Sequence, residues 1–453
     1  MNLPNYFLAD LPPEASLTAA IIGEACQTLK RNRSHYLANR STASLIKTIS
    51  QTAECWLMPD YPFRQLLMAK GPETTGFSRS LLLEGLDTFF SQLTADNLHE
   101  LVAQEFGHAQ RLDSMVSTVP EQRARQAAIA LGPELLVHIT GGVIPNPSIL
   151  SIVLGILARA AQFVKCASGT SLLPRLFAHS LYDSDPKLAA CLEIAEWPGG
   201  THALENTLFT EADCITATGS DETLAAIRAQ VPHHKRFVGY GHKVSFGFIT
   251  HEVLSAFGAR KVAAGAAIDV TAWNQLGCLS PHVFYVESGG AVNAVRFAEL
   301  LSEELARREE AFPRGPIPPE HAAVITSRRA FYRVRADSSE ETRLWHSPEN
   351  TDWTVVCEAD PRFQLSCLNR FIYVKAVSDL TETLQNAEQV RGKVSTVGLE
   401  AQSDRAEQLA LTLARWGVTR VCPLGQMQNP PITWRRDGRP PLADLVTWTN
   451  WEM

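Results

Sequence analysis

The sequence predicts an α/β protein with a helical N-terminal part, and two observations carry this. From Glu134 onward, short apolar runs alternate with helical segments of about 10 to 15 residues, the pattern of a parallel sheet with crossover helices. Before Pro133, apolar residues recur three and four positions apart, the period of a helix. At 453 residues the chain is long enough for two or three domains with ample core.

Taken in order, helices are expected at 14–29, 41–56, 78–93 and 121–130. Pro12-Pro13, residues 59–62 and Gly71-Pro72 punctuate them. Strands follow at 135–139, 162–165, 192–195 and 214–217, with helices at 148–160, 171–180, 202–211 and 222–230. Ligands of such sheets bind at the carboxyl ends of the strands. A second block runs from about 246 to 424. Its expected helices are 252–274, 293–309, 319–335 and 405–416, and its strands 283–287, 353–357, 371–374, 393–397 and 419–422. The expected organisation is therefore 1–133, 134–245, 246–424 and a returning tail, 425–453, rich in Pro, Trp and Arg.

Hydrophobic residues make up 45% and charged residues 20%, the balance of a soluble globular protein. A net charge of -7 argues against nucleic acid as the main partner. The 9 cysteines are scattered without a CxxC pair, which fits neither a disulfide framework nor a zinc site, so no metal is expected. No secretory signal is recognisable, and a reducing cytoplasm is the expected compartment. The longest apolar run, 149–158, stops at Arg159, well short of the roughly 20 residues that a membrane span needs.

The most informative segment is Asn274-Gln275-Leu276-Gly277-Cys278-Leu279-Ser280-Pro281-His282. A cysteine in a Gly/Ser/Pro turn can meet a carbonyl carbon, and its thiolate is the reactive form. A buried cysteine packing as a small hydrophobe is the competing reading. His282 either pairs with the thiol or hydrogen-bonds within its turn. The alternating region has no GxGxxG fingerprint. It has instead Ile144-Pro145-Asn146-Pro147 after its first strand, Phe163-Val164-Lys165-Cys166-Ala167-Ser168 closing its second, and Ala217-Thr218-Gly219-Ser220-Asp221 opening a helix.

In order and spacing these motifs resemble the aldehyde dehydrogenase superfamily. A narrower resemblance is to the LuxC-type fatty acyl-CoA/acyl-protein thioester reductases. It rests on 138–147, Tyr240-Gly241-His242-Lys243-Val244-Ser245-Phe246, the Cys278 segment, Ala311-Phe312-Pro313-Arg314-Gly315 and Cys422-Pro423-Leu424-Gly425-Gln426-Met427. It covers the chain from about Glu134 onward and leaves the helical N-terminal part without an assigned motif. The resemblance implies an aldehyde dehydrogenase-like fold, with 134–245 binding the cofactor and 246–424 catalytic. It implies reduction of a fatty acyl thioester, carried by CoA or a protein, to the aldehyde. An acyl-protein synthetase partner and a homo-oligomer are expected with it. The alternative is a cofactor-binding scaffold subunit with a vestigial cysteine.

The resemblance also assigns residues. Cys278 is the nucleophile, and Asn146 is the amide donor to the oxyanion. Its competing role is that of a turn residue between prolines. Lys165 reaches the adenosine ribose of the cofactor; its competing role is that of a strand-end lysine in solvent. Ser168 stands where many NAD-using relatives carry a glutamate. Its lack of charge removes a repulsion of a 2′-phosphate and favours NADPH. Gly219 and Ser220 offer backbone N–H groups to a phosphate, or form an ordinary helix cap. His242 is an acid/base or a ligand of the leaving thiol, or else a structural histidine in a glycine turn. Glu358 corresponds to the glutamate that holds the nicotinamide ribose, although the aromatic-Gly-Pro signature after it is missing. Arg314 either binds a phosphate or is a surface turn residue, the latter being expected, and Asp269 has no assigned role. The stretch 239–244 lacks the carboxylate by which hydrolytic aldehyde dehydrogenases activate water.

Overall fold

Among the described residues, fourteen strands and the helices between them divide into two units. In this computed structural model, the first unit holds the described residues up to Thr75 together with Leu86–Gly241 and Pro431–Met453. The second holds Gly76–Gly85 and His242–Pro430. Residues 3–12 and 14–453 are described; Pro13, one of the expected punctuating prolines, lies outside them.

The strands of the first unit are β1 (Gln126–Leu131), β2 (Leu135–Ile139), β3 (Ala161–Cys166), β4 (Leu192–Glu196), β5 (Cys214–Thr218) and β6 (Arg236–Tyr240), together with the C-terminal strand Thr447–Glu452. Five of them form a sheet in the order β4-β3-β2-β5-β6, parallel throughout. The chain lays β3 and β4 to one side of β2 and then β5 and β6 to the other. The order thus reverses at β2, which opens a crevice at the carboxyl ends of β2 and β5. Parallel strands are covered on both faces, and β3 is accordingly buried along its whole length. One face packs Leu135, Val137, Phe163 and Ile215 against Ile22 and Cys26 of helix Ala19–Tyr36 and Leu204 and Leu208 of helix His202–Glu211.

His138 ties this sheet together. Its Nδ1 lies 2.7 Å from Thr216 Oγ1 and its Nε2 3.0 Å from Gln162 Oε1. Burial lowers its pKa to about 4, so the ring is a neutral structural link.

The second unit holds β7 (Val244–Ile249), β8 (Pro281–Glu287), β9 (Arg343–His346), β10 (Thr354–Glu358), β11 (Phe371–Val377), β12 (Val394–Glu400) and β13 (Arg420–Cys422). Their order is β13-β12-β7-β8-β11-β10-β9, parallel except for the edge strand β9. Phe284, Val286, Ile372 and Val374 face helices Gly258–Thr271 and Ala294–Ala311 on one side. Phe246, Phe248, Val283 and Tyr373 face helices Pro319–Ser338 and Ser403–Trp416 on the other.

Several expectations are corrected. Residues 121–130 are not one helix: a short helix, Val119–Arg123, ends at left-handed Arg125 (φ 55°), and β1 follows. β1 pairs antiparallel with the C-terminal strand Thr447–Glu452, a partner that no local pattern reveals. Helix Pro62–Thr75 was not expected, because prolines 62 and 72 read as breaks, and neither was helix Ala95–Phe106. Pro62 instead opens its helix, where a missing N–H costs nothing. Pro72 is outweighed by the burial of Phe63, Leu67 and Met68. β6, β7 and β9 were also missed; β7 is buried at every position and so shows no alternation.

Candidate active site

In the first unit, Lys165 lies in the last residues of β3, and the segments that carry Asn146, Ser168, Gly219 and Ser220 follow the carboxyl ends of β2, β3 and β5. Gly141 lets the β2 end approach β5: a Cβ there would lie 2.6 Å from the Thr218 carbonyl oxygen. At Gly142 (φ +87°) an added Cβ would meet nothing within 4 Å, so the backbone borders open space. These features fit a dinucleotide lying across the switch point.

Lys165 is 4% exposed, and its Nζ stands 5.7 Å from the centre of the Trp197 ring. Burial lowers its pKa, against the opposing charge of Glu205 and Glu196. Glu196 accepts hydrogen bonds from Gly169 N (2.7 Å) and Ser171 N (3.3 Å), which folds the loop that exposes Ser168. Ser220 caps helix Asp221–Gln230 by accepting from Thr223 N at 3.2 Å, so its side chain does have the ordinary capping role. Asn146 is the first residue of helix Asn146–Leu157.

In the second unit, Cys278 precedes β8 and His242 precedes β7, two adjacent parallel strands, so both residues stand at the amino end of that sheet. Cys278 is exposed. Helix Gly258–Thr271 runs out into three successive left-handed residues, Trp273 (φ 49°), Asn274 (φ 52°) and Gln275 (φ 63°). Each costs roughly 1–2 kcal/mol in that region. A matching left-handed run, Leu368 to Arg370, precedes β11.

Side chains join the two runs. Gln275 Nε2 donates to Pro281 O (2.7 Å) and Phe371 O (2.9 Å), and its Oε1 accepts from Phe371 N (2.9 Å). Asn274 donates to Arg314 O at 2.9 Å and accepts from Arg370 Nε at 3.2 Å. Trp273 is buried against Phe77, with ring centres 5.2 Å apart. Gly85 makes room for it: a Cβ there would lie 2.1 Å from the indole.

The turn itself is closed twice. Ser280 N donates to Gly277 O at 3.0 Å, and Gly277 N donates to Ser280 Oγ at 3.2 Å. Ser245 Oγ donates to the Cys278 carbonyl at 2.8 Å and accepts from Thr396 N at 3.2 Å. Gln428 donates from its amide to Ser280 Oγ. Asp269 is fully buried and accepts from Gly425 N (2.6 Å) and Met427 N (2.9 Å); burial pushes its carboxyl up to about 7.

A family model described as acyl-CoA reductase (LuxC) matches residues 37–448. The chain belongs to the LuxC family. The long-chain acyl-protein thioester reductase of Aliivibrio fischeri is 24% identical over 70% of this chain and 63% of the relative's length. That of Vibrio harveyi is 22% identical over 92% of this chain and 84% of the relative. The alignment with the first thus spans less than two thirds of its length. Among solved structures, an NAD-dependent benzaldehyde dehydrogenase from Corynebacterium glutamicum superposes with a TM-score of 0.68 at 15% identity, covering 97% of this chain and 91% of that one. The fold is therefore of the aldehyde dehydrogenase type.

The LuxC motifs gain a structural meaning here. Ser245, the Arg314 carbonyl and the loop 422–428 all bear on the cysteine turn, from three distant parts of the chain. Sequence reasoning did not single out Ser245, Gln275, Gln428 or Arg370. The first two lay inside quoted motifs, but nothing local marks a side chain that bonds far away.

Three expectations change. Arg314 is not a surface residue: it is 4% exposed, donates to Thr351 O at 2.5 Å and pairs with Asp352 at 3.3 Å. His282 turns its Nδ1 out of its turn, where it accepts from Ser366 N at 3.1 Å. Burial, with His242 nearby, lowers its pKa to about 4. Glu358 is 2% exposed, and Lys375 Nζ (3.0 Å) and Arg335 (3.5 Å) pair with its carboxylate. In register it lies beside Lys375 and Tyr285, within the sheet rather than at the Cys278 end. Among the described residues, no helix is long and apolar enough to cross a membrane. The cluster His251, Glu252 and Glu287 has metal-ligand geometry, but Arg405 pairs with both carboxylates.

Proposed function

We propose that this LuxC-family chain reduces a fatty acyl thioester, presented on CoA or on a protein, to the aldehyde through an S-acyl-Cys278 intermediate. The observation that carries the reading is the exposed thiol on a braced turn in a family of acyl-CoA reductases. Six of the other eight cysteines make poor competitors. Burial pushes the thiols of Cys26, Cys166, Cys191, Cys214, Cys357 and Cys422 up to about 12, and an un-ionised thiol is a weak nucleophile.

In this reading the Cys278 sulfur attacks the thioester carbonyl carbon. The Cys278 S–C bond forms, and the donor's C–S bond breaks. The Asn146 amide donates to the oxyanion, and His242 delivers the proton that the departing thiolate takes up. NADPH, held by Lys165, Ser168, Gly219 and Ser220, supplies the hydride when bound. Rupture of the Cys278 S–C bond then frees the aldehyde and returns the thiolate. Glu358 has its charge taken up by Lys375. The absence of a carboxylate in 239–244 leaves water without a general base, so the acyl-enzyme waits for reductant. An acyl-protein synthetase fits as the source of a protein-borne acyl group, and a homo-oligomer as the assembly.

The test is to incubate the protein with radiolabelled acyl-CoA without NADPH and map the labelled peptide. Label is expected on Cys278 alone, with aldehyde released only when NADPH is added. Label on another cysteine, undiminished turnover by Cys278→Ala, or rapid release of fatty acid without NADPH would overturn the reading. A chain that takes no label yet binds nucleotide would be a scaffold.

A further inference from the structure

We infer that Gln428 is a positioning residue for Cys278, acting through the Ser280 hydroxyl; this rests on the nucleophile reading above. The loop between β13 and Pro430 lies far along the chain from the cysteine, yet it ends on the cysteine's turn. Its backbone is fixed from two sides. Asp269 accepts from Gly425 N and Met427 N. Arg420 donates to Met427 O and Gln426 O, each at 2.7 Å. The Arg420 bonds are charge-assisted, the strong kind, and with the two Asp269 bonds they give the Cα of Gln428 a fixed starting place. From there the amide reaches Ser280 Oγ, on a residue with no exposure at all. The same oxygen accepts from Gly277 N. One hydroxyl therefore holds both the near side of the turn and the distant loop, with Cys278 between Gly277 and Ser280.

The opposite side of the turn is held at the Cys278 carbonyl by Ser245. With both sides held, the backbone that carries the nucleophile has little room to shift. A displacement of about 1 Å at a reacting atom can cost on the order of a hundredfold in rate. Gln428 matters, on this argument, because it removes that displacement. It needs no contact with substrate.

The experiment uses the full-length chain with Gln428→Ala, Ser280→Ala and the double substitution. Two rates are read: acylation of Cys278 by acyl-CoA, and alkylation of Cys278 by iodoacetamide, which needs no thioester chemistry. Each single variant is expected to acylate about ten- to a hundredfold more slowly, with half-saturating acyl-CoA within about twofold of the parent. Because the two residues act in series, the double variant should be no slower than the slower single. Alkylation should slow in the same rank order. Losses that multiply in the double variant would overturn the inference, as would singles that alkylate and acylate at the parental rate. A matching loss of folded protein by circular dichroism would also overturn it, since the role would then be stability alone. If the parent takes no acyl label while the variants still slow alkylation, the thioester reading fails and the brace stands. Label in the parent with unchanged alkylation in the variants gives the reverse.

Discussion

Lys165 and Ser168 show how much one position can decide. The lysine is buried beside Trp197, with Glu196 and Glu205 near enough to oppose the burial effect on its pKa. Glu196, however, spends its carboxylate on the N–H groups of Gly169 and Ser171. That leaves exposed Ser168 without a negative charge of its own at the place where a cofactor phosphate is proposed. NADPH should therefore be preferred over NADH, and Ser168→Glu should move the ratio of kcat/KM values toward NADH by about ten- to a hundredfold, a few kcal/mol at most. Steady-state rates with both cofactors check this. A parent that already favours NADH would indicate that Glu196, rather than Ser168, governs the ribose. The lysine was legible in the sequence because a motif surrounds it. Its ring partner Trp197 was not, since it lies on the next strand's exit.

At the level of elements, the regular pieces of the first sheet were legible and the irregular joints were not. β2, β3, β4 and β5 carry their own apolar runs, and the helices between them carry the helical period. The joint before Cys278 runs against local preference, because no periodicity forecasts three left-handed side chains in a row. Its conformation is imposed by Gln275 and Asn274, whose partners sit on β8, on β11 and in the 309–314 segment. This predicts a large penalty for a small change. Gln275→Ala strips the side-chain donor from two buried carbonyls, Pro281 O and Phe371 O, and leaves the backbone strain in place. A loss of roughly 2–4 kcal/mol in unfolding free energy is expected, since each orphaned buried acceptor costs about 1–3 kcal/mol. Urea unfolding measures it. A loss below about 1 kcal/mol would mean that the turn relaxes once the amide is gone. Helix 121–130 was misread for a related reason: β1 exists because Thr447–Glu452 pairs with it, and a partner so far along the chain leaves no mark on the segment itself.

Across the whole molecule the C-terminal residues are the least self-sufficient part. The strand Thr447–Glu452 is exposed at every residue, and it forms with β1 a two-stranded ribbon separate from both larger sheets. Such a ribbon is marginal alone, and a free strand edge invites pairing with another chain. Trp448 and Trp451 are 41% and 55% exposed, and Leu131 at the far end of β1 is 51% exposed. Trp448 has partial cover from Phe106, at 5.7 Å between ring centres, and from Arg111 beneath it. Trp451 points to the other face of the strand, opposite Ala127. Large aromatics of this kind commonly anchor interfaces, so the proposed homo-oligomer should form through this ribbon. Sedimentation or light scattering at micromolar concentration should give a mass well above 49.8 kDa. Trp451→Asp should lower that mass toward the monomer without unfolding the chain, because the side chain it removes supports no core. A parent that sediments as a monomer would refute the assembly. An oligomer that survives both Trp451→Asp and removal of 447–453 would place its interface elsewhere.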